Sequence, residues 1–164
     1  MVINNNAISA LLEAVKETAV KYSECKKVQV GAVIFDYVCG IPFPLAYGCN
    51  HTHPVSCKEY GCKRVAVYGE DSDKHRLPSD CRAIHAEIEA IASAARKGVL
   101  IEGSSILISR YPCESCAKAI VTAGIKEVLY GGKQLISAET KAMFDSARID
   151  VIHIERRTNE TECK

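Results

Sequence analysis

Two short motifs, His85-Ala86-Glu87 and Pro112-Cys113-Glu114-Ser115-Cys116, constrain this chain more than anything else in it. Each opens a predicted helix, over residues 86–95 and 114–123, and one predicted strand at 105–109 lies between them. Cysteines at i and i+3 on a first helical turn present both sulfurs to the same side. One imidazole completes three protein donors, the set of a zinc site that keeps its fourth position for water. Pro112 suits the approach to the turn, where a missing N–H is harmless. Both motifs stand at helix N-termini, whose dipoles and unpaired N–H groups favour thiolates and other anions. Glu87 is better placed beside the water, exchanging protons with it and with a substrate nitrogen, than on the metal. In the competing reading His85 and Glu87 are ordinary first-turn residues and the cysteines a redox or structural pair. The Cys-x-x-Cys spacing alone leaves both readings open; the His-x-Glu upstream and the intervening strand favour the metal.

The other cysteines extend the question. The chain has 164 residues and nine cysteines, an odd number that argues against complete pairing. The opening MVINNNAISALL has no basic segment followed by an apolar one, and no apolar run reaches the ~20 residues of a membrane span. The expectation is a soluble, cytoplasmic protein without membrane association, in which cysteines serve as ligands or catalytic groups. With 21 Lys plus Arg against 20 Asp plus Glu, the formal charge of +1 supplies no global basic field, so a nucleic-acid partner is not expected.

Apolar residues at Ile8, Leu11, Leu12, Val15, Ala19 and Tyr22 mark one face of an amphipathic helix. Residues 28–35 and 44–50 read as strands that can pair as a hairpin. Residues 51–81 lose periodicity and crowd His, Pro, Gly and charged residues around three cysteines. A structureless excursion of that length is uncommon unless functional or held by a ligand such as a metal. Strands at 105–109, 127–130 and 150–154 then alternate with helices at 114–123 and 138–147, which implies parallel pairing. The expected fold is α/β: a five-stranded mixed sheet covered by helices, in one domain over residues 1–155 with a Cys/His-rich insertion at about 51–81. Residues 156–164 read as an exposed tail.

His85-Ala86-Glu87 followed by Pro112-Cys113-Glu114-Ser115-Cys116 resembles the zinc-dependent cytidine/deoxycytidylate deaminase superfamily. Ser23-Glu24-Cys25-Lys26-Lys27 leading into Val30-Gly31-Ala32-Val33, Gly48-Cys49-Asn50, and the run from Ala123 to Tyr130 are similar to deoxycytidylate (dCMP) deaminases in particular. The resemblance runs from about residue 8 to 154. It implies a three-layer α/β/α fold and a catalytic zinc on His85, Cys113 and Cys116. It implies Glu87 as the proton carrier in hydrolysis of dCMP to dUMP and ammonia, within pyrimidine deoxynucleotide metabolism. It also implies base contacts from the Ala86 N–H and a carbonyl near Ser109, a base or sugar contact from Asn50, and phosphate contacts from Lys26, Lys27 and Arg110. Parallel last strands resemble the deoxycytidylate, guanine and transfer-RNA deaminase branch, and the family suggests a homo-oligomer, a dimer or hexamer. Alternatives are a cytidine or guanine deaminase, a transfer-RNA adenosine deaminase, and a zinc-binding module without catalysis. Polynucleotide substrates are disfavoured by the balanced charge.

Cys57, Cys62 and Cys81 gather in the irregular segment with His51, His53 and His75. Three thiolates and one imidazole would close a structural zinc shell. Some deoxycytidylate deaminases carry such a second zinc, and His75 is the preferred fourth ligand, ahead of His53 and His51. Three unrelated thiols are the alternative, since the gap between Cys57 and Cys62 exceeds the usual ligand spacing. Cys25, Cys39, Cys49 and Cys163 have no assigned partner; for Cys39 and Cys49 the expectation is a small buried hydrophobe. Where the family often has a Gly-rich stretch after the strand-end Asn, this chain has His51-Thr52-His53-Pro54-Val55, so control by deoxynucleoside triphosphates is not implied.

Overall fold

The computed structural model describes residues 4–25, 27–52, 55–69, 81–132 and 136–154. Lys26, His53, His75, Cys163 and the 156–164 tail lie outside them. Helix α1 (Asn5–Tyr22) starts ahead of its apolar periodicity because Asn4 caps it, its side chain accepting from the Asn6 and Ala7 N–H groups at 3.1 Å each. Ile8, Leu12, Val15 and Ala19 form its buried stripe.

Strands β1 (Gly31–Val38) and β2 (Ile41–Cys49) make the expected antiparallel hairpin, displaced from its predicted bounds. Val28 and Val30 do not join β1 because the Asn50 side chain takes their backbone groups: its Nδ2 donates to the Val28 carbonyl and its Oδ1 accepts from the Val30 N–H, both at 2.7 Å. The hairpin closes at Cys39-Gly40, with φ of 51° and 80°. Two successive positive φ angles belong to the two-residue turn whose twist matches the strands. Cys39 is therefore exposed, which corrects the expectation of a buried hydrophobe. Pro42 and Pro44 are tolerated because β2 is an edge strand. Between Ile34, paired with Ala46, and Phe35, paired with Pro44, a bulge leaves Leu45 without a cross-strand partner.

The 51–81 segment is more structured than its sequence suggests. Its described part contains β3 (His51–Thr52), α2 (Cys57–Tyr60) and α3 (Lys63–Tyr68), and β3 pairs antiparallel with β4 (Ala83–Ile84) just beyond it. These elements are too short to show a period. The order then continues with α4 (Ala86–Lys97), β5 (Ser105–Ile108), α5 (Glu114–Thr122), β6 (Glu127–Tyr130), α6 (Ala138–Ala147) and β7 (Asp150–His153).

The main sheet has the order β2-β1-β5-β6-β7, with β1–β5 antiparallel and β5–β6–β7 parallel, as expected. One face packs Val33, Phe35, Leu107 and Leu129 against Ile8, Leu12 and Val15 of α1. The other packs Ile34, Ile106, Ile108 and Val128 against Ala90 of α4, Ile120 of α5 and Phe144 of α6. The result is the three-layer α/β/α arrangement. No described helix is long and apolar enough to cross a membrane. The architecture carries the starts of α4 and α5 to the carboxyl ends of the parallel strands, the usual location of sites in such sheets.

Candidate metal centre and active site

His85 and Cys113 are the N-cap residues of α4 and α5, both extended, and neither side chain makes the hydrogen bond that a capping residue normally makes to its helix. Their side chains meet instead. His85 Nδ1 lies 3.3 Å from Cys116 Sγ and 3.5 Å from Cys113 Sγ, and the three donor atoms all fall within 4.8 Å of one another. Zinc bonds of about 2.3 Å to sulfur and about 2.0 Å to nitrogen, at tetrahedral angles, place the two donors about 3.5 Å apart. The donor set therefore fits a zinc ion in both chemistry and spacing. Among the described residues no other group of His, Cys, Asp or Glu converges as closely.

The electrostatics prepare the same site. A hydrogen bond from the Cys116 thiol, assisted by His85 and opposed by burial, lowers the Cys113 thiol to about 3. Cys116 is held far up by that shared hydrogen bond, by burial and by the neighbouring Glu87 charge. These opposite shifts describe one proton shared between the two sulfurs. The hydrogen bond to Cys113 raises His85 against the effect of burial.

Glu87, on the first turn of α4, is 4% exposed and touches Cys116 by a side-chain hydrogen bond. Burial pushes its carboxyl upward, and its own backbone hydrogen bond and the His85 charge only partly oppose this. Burial thus favours the protonated carboxyl above the usual carboxylate range, the direction that suits a proton carrier. Ala86 is fully buried at the head of the same helix, where its N–H has no intrahelical acceptor.

Ser109 follows β5 directly. Its N–H donates to the Gly31 carbonyl at 2.9 Å, but the Gly31 N–H donates to the Ser109 hydroxyl at 3.0 Å. The hydroxyl thus replaces the Ser109 carbonyl in closing the β1–β5 ladder, leaving that carbonyl outside the pair. Asn50 is buried, and its Oδ1 also accepts from the Ser23 hydroxyl at 2.7 Å. With the bonds to Val28 and Val30, it fastens the segment after α1 to the end of β2. Any substrate contact from Asn50 would use its remaining amide hydrogen. Arg110 is half-buried in the turn that leads to Cys113, and Lys27 is exposed in the segment that Asn50 holds. Arg64 of α3 was not singled out from the sequence, yet its charge is near enough to lower His85. The available signal was the Lys63-Arg64 pair immediately after Cys62.

Comparison with known proteins agrees with this geometry. Residues 5–132 match the model of the cytidine and deoxycytidylate deaminase zinc-binding region. ComE operon protein 2 of Bacillus subtilis is 30% identical over 136 residues, covering 81% of this chain and 64% of that protein. The deoxycytidylate deaminase of Saccharomyces cerevisiae is 32% identical over 135 residues, covering 81% of this chain and 40% of that protein. The chain thus matches less than two thirds of the length of either relative. A crystal structure of dCMP deaminase from the cyanophage S-TIM5, in complex with dCMP and dUMP, shares the fold with a TM-score of 0.66 at 23% identity, covering 92% of this chain and 98% of that one. Because the matched residues include both motifs and most of the sheet that orients them, the chain belongs to the cytidine and deoxycytidylate deaminase family.

Proposed function

We propose that the protein is a zinc-dependent hydrolase that converts dCMP to dUMP and ammonia. The observation that carries this reading is the buried Glu87 carboxyl in contact with the His85/Cys113/Cys116 donor set. Those three residues would hold a zinc ion, whose contribution when bound is to make a water nucleophilic at neutral pH. Glu87 takes a proton from that water as the C4–O bond forms and delivers it to ring N3. It then takes the proton of the new C4 hydroxyl and passes it to the exocyclic nitrogen, so that the C4–N bond breaks with ammonia as the leaving group and the C4 carbonyl forms. The Ala86 N–H donates to the base O2, and the Ser109 carbonyl accepts from the exocyclic amine. Lys26, Lys27 and Arg110 bind the 5′-phosphate through charge-assisted hydrogen bonds, with Arg64 as a further cation on the side of His85.

The dCMP assignment within the family rests on relatives such as the yeast enzyme and on the parallel β6–β7 pair. The eight described cysteines form no disulfide among themselves, which suits a reducing cytoplasmic setting. A homo-oligomer, dimer or hexamer, is consistent with the apolar patch of Val38, Ile41 and Phe43 exposed at the hairpin tip.

A deamination screen over free bases, nucleosides and nucleotides tests the substrate. Arg110→Ala and Lys27→Ala are each expected to raise KM for dCMP about tenfold, equivalent to ~1.4 kcal/mol, while leaving turnover of deoxycytidine unchanged. Equal effects on both substrates would remove the phosphate contacts. Preference for deoxycytidine or guanine over dCMP would replace the substrate.

A further inference from the structure

We propose that His153, the last residue of β7, is a positioning residue for deamination: it holds the backbone after β6 against the Ser109 carbonyl. This rests on the proposed function, in which that carbonyl accepts from the exocyclic amine. The contacts begin at the His153 ring, whose Nε2 lies 3.1 Å from the Gly132 carbonyl oxygen. A carbonyl can only accept, so the ring carries a proton on Nε2 and donates it. The same ring stacks on Tyr130, with centroids 4.8 Å apart and planes at 28°. The backbone adds a third tie, from the Ile154 N–H to the Tyr130 carbonyl at 2.8 Å. Three contacts from the end of β7 therefore fix residues 130–132.

Gly132 carries the constraint to the site. Its φ of 77° lies in the left-handed region, and a β-carbon at this position would stand 3.3 Å from the Ser109 carbonyl oxygen. Beside it, the Gly131 N–H donates to the Ile108 carbonyl at 3.0 Å. Residues 131–132 thus run along the end of β5 and wall the Ser109 oxygen on one side. On the other side Ser109 is held by its N–H and hydroxyl bonds to Gly31. Between these two supports the oxygen has a fixed direction.

A second route leads from the same stack to the metal donors. Tyr130 packs edge to face on Tyr111, with centroids 4.9 Å apart and planes at 83°, and Tyr111 directly precedes Pro112-Cys113. Tyr111 and Tyr130 are buried, whereas His153 is exposed. The imidazole therefore covers the stack from outside and adds little to the core, so its loss should disturb the site more than the stability. Catalysis depends steeply on such placement, because a reacting bond needs its partners aligned before the barrier is crossed.

Two substitutions in the full-length, zinc-loaded chain separate the donor from the stack. His153→Phe keeps a ring on Tyr130 and removes the N–H, whereas His153→Gln removes the ring and keeps an amide donor of similar reach. His153→Phe is expected to lower kcat about tenfold, the worth of one orienting hydrogen bond, for dCMP and deoxycytidine alike, because both carry the same amine. The Ki of dUMP, which has no amine for Ser109 to accept from, should stay unchanged. His153→Gln should restore most of the lost kcat. Wild-type kcat in His153→Phe overturns the proposal, and so does a parallel rise in the dUMP Ki or a loss in both variants that follows their melting temperatures. The carbonyl carbon resonance of Ser109 reads the link without turnover: it should move in His153→Phe and return in His153→Gln, and an unmoved resonance also overturns the proposal. A wild type that deaminates neither compound removes the proposed function, and the resonance alone then decides whether His153 holds Ser109.

Discussion

Replacing Glu87 by Gln is expected to lower dCMP turnover by about 10²–10⁴-fold, the usual contribution of a positioned proton carrier, while leaving metal content and fold unchanged. Gln matches Glu in shape, so α4 keeps its packing, and it cannot accept a proton from the nucleophile or deliver one to N3. Stability should hold or rise. Burial in the folded chain disfavours the Glu87 anion. Folding therefore favours the protonated form, and the Glu87 contribution to stability declines as pH rises from its unfolded value through its raised folded one. A neutral Gln removes that decline. Turnover, zinc content and melting temperature measured on one preparation separate the outcomes. Normal turnover by Glu87→Gln would exclude this carboxyl from the chemistry.

Gly48→Ala has the largest expected effect on stability. A methyl group on Gly48 would overlap the Ala86 carbonyl oxygen and come within 2.5 Å of the Ala90 nitrogen, both backbone atoms of α4. No rotamer change relieves a backbone clash, so β2 and α4 must separate. The expected cost is about 3 kcal/mol, the upper end of overpacking losses, or a melting temperature lower by roughly 10 °C for a domain of this size. Because the displaced end of α4 carries Ala86 and Glu87, kcat should fall even at temperatures where the variant remains folded. A variant that melts with the wild type would show that β2 and α4 pack less closely than described.

The elements that bury one regular face were legible in the sequence. The α1 stripe, the three parallel strands and the helices between them follow from period and length, and β6 and α6 have the bounds read for them. The convergence of His85, Cys113 and Cys116 was legible because its spacing is local: a Cys pair on one turn, and His two residues from Glu. What escaped depends on contacts distant in sequence. Residues 28–30 have strand composition, but Asn50 takes their backbone bonds. The hairpin turn uses Cys39 in a left-handed conformation, which no turn preference announces. The segment after α1 lies far in the chain from the start of α2, and a hydrogen-bonded path from Glu24 through Thr52 to the Cys57 N–H joins them.

The proposed function requires that His85, Cys113, Cys116 and Glu87 form one hydrolytic deamination centre acting on dCMP. Its most direct measurement follows product and ammonia from dCMP with the zinc-loaded protein, before and after chelation and again after zinc is restored. The expected result is dUMP and ammonia in equal amounts, lost on chelation and recovered with zinc. Zinc bound at His85, Cys113 and Cys116 with no dUMP formed would contradict it.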